Sequence, residues 1–435
     1  MRSVFKIAAL IVAALALFSL FGCAGQGGAE AAETEENASL PSSELPTVSV
    51  TTASGFPVRQ REYEAVTVTV SGSAGGEFDF ENATAQMKCR GNSTFHLPKK
   101  PYRIKFDEKV NLLGQGAGPS KSWVLLANYN DQSMLRNHVS FAMGKKLDRI
   151  GFTSSSSFVH LYENGVYRGV YELVEHHGEG KYRIVMKEDP VEPDTDYLIE
   201  MDDYTVMKGF EFPTGFETGD RGYEIHSDMM TSSKWLFIYH FIRDVDAAAE
   251  EGDREAVEAM LDIPSFIDMY LLEEISKDPD AGISSFFYLK KAGGKLYCTC
   301  PWDFDIAYGN DPTVDDGSPT GLFAGDPTRE KMIEGGFAPH PWISALMRRQ
   351  WFCDLVKERW DEMKGTLEET AYGAIDEVVN GYADEMRKNF DAWALTGDAD
   401  KWEEYAGELR EWIAARFEFL DGWFSNPETL YKYVE

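Results

Sequence analysis

The hydrophobic period changes along this chain, and that change limits the fold more than any single motif. From Pro46 onward apolar and polar residues alternate, the two-residue period of half-buried strands; Thr47–Thr52 and Ala65–Ser71 are the clearest runs. Ala85–Arg90, Tyr102–Phe106, Trp123–Ala127 and Tyr197–Glu200 extend the series. Val159–Tyr162 and Tyr167–Tyr171 flank Asn164-Gly165, the preferred two-residue hairpin turn. After Asp228 the period becomes that of a helix, in Lys234–Glu250, Asp253–Leu261, Pro264–Lys277 and most of the chain from Pro341. Two exceptions interrupt the order. Met134–Leu147 has helical spacing inside the β-rich part, with Ser133 as its expected N-cap. Ser284–Lys290 and Lys295–Cys300 form a strand pair among the helices, and the Gly, Pro and Asp-rich residues 311–335 read as a long loop. The pattern predicts an α+β fold of two lobes, β-rich in the N-terminal half and mostly helical in the C-terminal half.

The 435 residues are enough for a large core. Residues 1–22 read as a targeting segment, with Arg2 and Lys6 before the apolar run Ile7–Phe21. Leu20-Phe21-Gly22-Cys23 resembles a bacterial lipobox, so Cys23 is the expected lipidation site and the protein is expected to be anchored on the outer face of a bacterial membrane. Plain secretion and a retained anchor are the alternatives. Residues 23–45 are rich in Ala, Glu, Gly and Ser without apolar periodicity, and read as a flexible acidic tether before a folded unit over 46–435. The net charge of −31 argues against nucleic-acid binding, because phosphates would be repelled. Any phosphate site in such a chain must gather positive charge locally. The export signal permits disulfides among Cys89, Cys298, Cys300 and Cys353, but spacing cannot choose the pairing. Cys298 and Cys300 are expected to share one face of a strand. Oligomeric state is open.

Two acidic segments carry the chemistry. Ser276–Asp280 closes what reads as an amphipathic helix, and Pro301–Asp305 follows a strand. They set Asp278, Asp280, Asp303 and Asp305 at the ends of regular elements, where a carboxylate can be held in place for a divalent cation such as Mg²⁺ or Mn²⁺. Turn and helix-end chemistry is the competing reading. A basic run, Lys99–Lys105, follows Arg90–Thr94; alternation puts Arg103 and Lys105 on one face, which could hold triphosphate oxygens or be a solvated edge strand. Arg136 would lie in the first turn of a helix, where backbone N–H groups favour anions. Glu175 ends the hairpin and could pair with Lys105 or Arg103. Gly114–Gly118 matches neither common phosphate-loop pattern and is either a plain turn or a covering loop. His176 and His177 are adjacent on an extended segment, so their rings should point apart and not share a metal.

The segments Arg90–Thr94, Lys99–Phe106, Trp123–Asp131, Leu135–Asn137, Phe158–Glu175, Tyr197–Glu200, Phe266–Asp280 and Pro301–Asn310 together resemble the CotH kinase family, in the family's order, from about Pro46 to Trp360. The resemblance implies an atypical kinase-like fold that transfers the γ-phosphate of ATP to Ser or Thr of proteins with a divalent metal. Asp303 would bind the metal, with Asp278 or Asp305 assisting. Asp280 would take the proton of the acceptor hydroxyl. Lys105, or less directly Lys100, would hold the phosphates. Arg103, Arg136 and Glu175 are placed on the nucleotide side by the residue reading alone. The family usually carries Asn where this chain has Asp278, and the extra negative charge should favour metal but repel ATP. The expected partners are a protein substrate and, through the lipid, a membrane. The alternative is a surface binding or assembly protein that keeps the fold without catalysis.

Overall fold

A computed structural model describes residues 45–204, 209, 212–331, 337–393 and 397–435. The expected leader, Cys23 and the expected tether up to residue 44 lie outside the described residues. No helix among the described residues is long and apolar enough to cross a membrane.

Seven strands form at the positions where the period is two: β1 (Thr47–Thr52), β2 (Glu64–Ser71), β3 (Phe80–Cys89), β4 (Tyr102–Val110), β5 (Ser120–Leu126), β6 (Ser156–Glu163) and β7 (Val166–Glu175). They close into a barrel in the order β1-β2-β3-β4-β5-β7-β6. Only the closing pair is parallel, with Val48 opposite Leu161. Val50, Val68, Met87, Ile104, Trp123, Leu125 and Leu173 fill the interior. The expected lobe thus has no open edge: β1 and β6 would each expose a row of unpaired amides, and pairing them removes both. The hairpin turn has left-handed backbone at Asn164 (φ 52°) and Gly165 (φ 78°). A Cβ on Gly165 would meet nothing within 4 Å, so Gly165→Ala tests the backbone alone. It should cost about 1 kcal/mol, read from the urea midpoint.

A second, five-stranded sheet is antiparallel throughout. It comprises β8 (Tyr197–Met201), β9 (Gly215–Thr218), β10 (Arg221–Ile225), β11 (Phe286–Lys290) and β12 (Leu296–Thr299), in the order β12-β11-β8-β10-β9. The β9–β10 hairpin was not legible in the sequence, being short and punctuated by glycine and charge. Val124, Leu126, Phe141, Val174, Leu198, Phe287 and Trp302 form a small core that joins the barrel wall to this sheet.

The helices are α1 (Arg136–Gly144), α2 (Ser232–Glu251), α3 (Arg254–Met260), α4 (Ile263–Ser276), α5 (Pro341–Leu346), α6 (Gln350–Ala392), α7 (Trp402–Ser425) and α8 (Pro427–Leu430). Asp131, not Ser133, satisfies the start of α1, accepting from the Arg136 N–H at 2.9 Å. Helix α4 is not amphipathic: every residue from Ser265 to Ser276 is buried. Its acidic side chains are paired from other helices: Arg359 from α6 grips Asp268 at 2.7 Å and Arg416 from α7 grips Glu274 at 2.6 Å. This central helix carries the first acidic segment on its C-terminal end. Lys277 closes it in left-handed conformation (φ 51°) and reaches Asp315 at 2.8 Å, fastening the long loop over residues 311–331.

Cys89, Cys298, Cys300 and Cys353 are buried free thiols. Cys298 and Cys300 do not share a face. Cys298 packs in the helical core and Cys300 in the small core, because Cys300 lies past the end of β12 with φ 51°.

Candidate active site

The two acidic segments lie side by side at the end of α4. The Tyr308 N–H donates to the Ser276 carbonyl at 2.7 Å, tying the loop after β12 to the helix terminus. Asp278 caps the short turn Pro279–Gly282 by accepting from the Asp280 N–H at 3.3 Å. After Thr299 the backbone turns at Cys300 and again at Asp303 (φ 71°), a conformation uncommon for a side chain other than Gly, Asn or Asp. Buried Trp302 and Phe304 anchor this loop on either side of Asp303. A relay of amides holds it: Glu172 accepts from Asn128 at 2.8 Å, Asn128 accepts from Asn137 at 3.1 Å, and Asn137 accepts from the Phe304 N–H at 2.8 Å. Turn chemistry and site chemistry are therefore both present in these segments.

The four aspartates form one electrostatic group. Burial, then the charges of Asp278 and Asp303, push the Asp280 carboxyl well above its ordinary range. Asp305 is raised by burial and then by Asp303, Asp131 and Asp280. Burial raises Asp303 too, while the Arg90 guanidinium pulls it back down and Glu200 adds to the rise. Asp278 is raised first by burial and then by the charge of Glu273. Burial pushes the Glu273 carboxyl up to about 8. Like charges brought together out of water resist ionising, and a bound cation relieves that penalty.

Asp303 stands at the junction of this acidic group with a cavity of about 550 Å³. Arg61, Lys88, Arg90 and Arg103 line one wall, from the barrel; Glu200, Asp202, Glu224 and His226 line the other, from the second sheet. Arg90 lies 5.1 Å over the ring of Trp302. Lys88 pairs across the barrel wall with Arg103, and burial, then Arg103 and Arg61, lower the Lys88 ammonium. Among the described residues none of these four cations forms an ion pair, although the chain carries −31 overall. Unpaired cations gathered on one wall make an anion-binding surface.

Of the expected basic residues only Arg103 reaches this cavity. Lys105 is exposed on the same face of β4 and lies outside the lining. Lys100 donates to the Phe95 carbonyl at 2.6 Å. Lys99 is fully buried and joins the barrel to α6, donating to the Ala127 carbonyl and to Asn389 Oδ1, both at 2.8 Å. Arg136 is bound to Asp131 and donates to the Ala307 carbonyl at 3.1 Å. Glu175 pairs with neither Lys105 nor Arg103; it contacts Arg183, which stacks on Trp123, and accepts from the Ser155 N–H at 2.9 Å. The Gly114–Gly118 turn closes over that glutamate, since a Cβ on Gly116 would fall 2.0 Å from it. His176 and His177 do not point apart. They stack at 4.7 Å beyond the end of β7, and both line the cavity. Asp280 lines neither cavity wall and meets the site through Asp278 and Asp303. Arg90, Lys88 and Arg61 line the cavity but were not among the site residues expected from the sequence. The parity of Lys88 and Arg90 opposite Arg103 was the available signal.

A family model described as CotH kinase protein matches residues 87–420. The chain belongs to the CotH kinase family. The match starts in β3, three residues before Arg90, and ends in α7, so it contains both acidic segments, the second sheet and most of the cavity wall. It reaches past Trp360, beyond the span over which the sequence resemblance to the CotH kinase family was read. No curated protein matches the chain.

Proposed function

We propose that the protein is an atypical protein kinase that moves the γ-phosphate of ATP to Ser or Thr hydroxyls of proteins. The observation that carries this reading is the position of Asp303, between a wall of unpaired cations and a buried group of carboxylates. A metal-nucleotide complex has that polarity, with phosphate oxygens for the cations and a divalent ion for the carboxylates. The barrel then acts as the nucleotide-side lobe, with the cavity between it and the second sheet.

Arg90, Lys88, Arg103 and Arg61 hold the triphosphate, in place of the expected Lys105 and Lys100. Asp303 and Asp305 offer the hard oxygen donors that Mg²⁺ or Mn²⁺ requires, and the bound ion would neutralise charge on the phosphates. The acceptor oxygen bonds to the γ-phosphorus as the bond to the bridging oxygen of ADP breaks, and Asp280 accepts the hydroxyl proton. Asp278 caps the turn that positions Asp280. The lipobox reading adds attachment through Cys23 at a bacterial cell surface, where exported or surface proteins would be the substrates.

Asp280 must be ionised to accept a proton, so the transfer rate should rise with pH through its raised pKa. The Asp278 charge is the largest cause of that rise after burial. Asp278→Asn should therefore move the acidic limb of the rate profile to lower pH. The assay is transfer from labelled ATP to a Ser/Thr-rich acceptor under saturating ATP and Mg²⁺ or Mn²⁺. An unmoved limb, or one displaced to higher pH, would remove Asp280 from the role of base.

A further inference from the structure

The acidic wall of the cavity carries chemistry that the phosphate-transfer reading does not use. Glu200 on β8 and Glu224 on β10 sit directly opposite one another in the antiparallel register. His226 lies two residues beyond Glu224, so its side chain falls on the same face of the sheet. The His226 N–H donates to the Leu198 carbonyl at 2.9 Å, which fixes the residue just past the strand end. One ligand atom from each of the three lies within 4.8 Å of the others, and His226 Nε2 is 2.8 Å from Glu200 Oε2. We infer that Glu200, Glu224 and His226 form a second divalent-cation site that takes a first-row transition ion such as Zn²⁺ or Mn²⁺ in preference to Mg²⁺.

Two like charges directly across a sheet repel, and a cation between them reverses that cost. Bonds of about 2.0–2.2 Å to nitrogen and oxygen place ligand atoms roughly 3–4 Å apart, so the three groups need only a small closure. One imidazole and two carboxylates give three protein ligands and leave positions open for water or substrate. Imidazole suits zinc and its neighbours, whereas Mg²⁺ favours an all-oxygen octahedron and sheds water reluctantly.

A separate feature points to a ligand in the same space. Trp302 is only 2% exposed, lines this cavity, and has an indole N–H without a partner. A buried unpaired donor is costly unless something accepts from it. Water or an anion on the ion would supply that acceptor. Arg90 on the facing wall feels both Asp303 and Glu200, so an ion at this site adjoins the proposed phosphate position.

The site stands or falls on metal alone, so the test uses the full chain without nucleotide, titrated calorimetrically with Zn²⁺, Mn²⁺ and Mg²⁺. The wild type should bind Zn²⁺ at least roughly 10-fold more tightly than Mg²⁺. Glu224→Gln and His226→Ala should each weaken Zn²⁺ by more than the roughly 10-fold that second-shell changes already cost. Asp303→Asn should keep the Zn²⁺ binding step that Glu224→Gln weakens, even as it loses phosphate transfer, which separates this site from the kinase reading. Thermal melts without metal check folding, and Glu224→Gln, nearly isosteric, decides the case if His226→Ala does not fold. The inference is overturned if the wild type takes up no Zn²⁺, or if Glu224→Gln binds it as the wild type does.

Discussion

Asp303→Asn should lower metal-dependent phosphate transfer by roughly 10³-fold, the scale of losing one group that stabilises transition-state charge. Asparagine keeps the shape of the side chain and tolerates left-handed backbone, so the φ of 71° at this position need not change. What is lost is the anionic oxygen at the meeting point of the cationic cavity and the buried carboxylates. Folding should survive, because the variant removes a charge from a crowded acidic group. The measurements are transfer from labelled ATP under Mg²⁺ and Mn²⁺, calorimetric binding of ATP with each metal, and a thermal melt. Turnover by Asp303→Asn at the wild-type rate would sink the assignment of Asp303. Tight metal-dependent ATP binding without transfer in the wild type would favour the surface binding or assembly reading, with the same cavity used for recognition.

Arg416→Leu should destabilise the fold by about 3–5 kcal/mol, because it leaves a buried glutamate without its cation. Arg416 is fully buried on α7 and reaches Glu274 Oε1 at 2.6 Å. It also donates to the Glu274 carbonyl at 2.7 Å, and to the Pro319 and Gly321 carbonyls at 2.7 Å and 2.6 Å. Glu274 in turn accepts from the Phe323 and Gly325 N–H groups at 2.7 Å and 3.0 Å. One guanidinium therefore ties α7, the central helix and the long loop together, four residues before Asp278. The denaturant midpoint reads the loss, and adding Glu274→Gln should recover part of it by removing the stranded charge. A loss below about 1 kcal/mol would mean that water or rearrangement satisfies Glu274, and that α4 is held by packing alone.

Much of the local structure was legible because its causes are local. The Asn164-Gly165 hairpin, the alternating strands from Thr47 to Leu126 and the helical stretches from Ser232 onward follow from side-chain period and turn residues within a few positions. The acidic segments were also visible, since their Asp, Pro and aromatic residues are neighbours in sequence. Lys105 was chosen over Arg90 because strand parity identifies a face without saying what that face meets. Only pairing in space shows that the barrel wall at Lys88, Arg90 and Arg103 looks across a cavity at the second sheet. The amphipathic reading of α4 failed for the same reason: the arginines that neutralise Asp268 and Glu274 lie 91 and 142 residues further on.

The sequence by itself determined the β-then-α order, the family and the two acidic segments, because these depend on residue type and short spacing. Tertiary structure alone decided that the barrel closes, that Asp278 and Glu273 are buried together, and that Asp303 borders a cavity with one cationic and one acidic wall. Each of those depends on which distant side chains are brought together and removed from water, and burial is what turns their charges into strong mutual constraints.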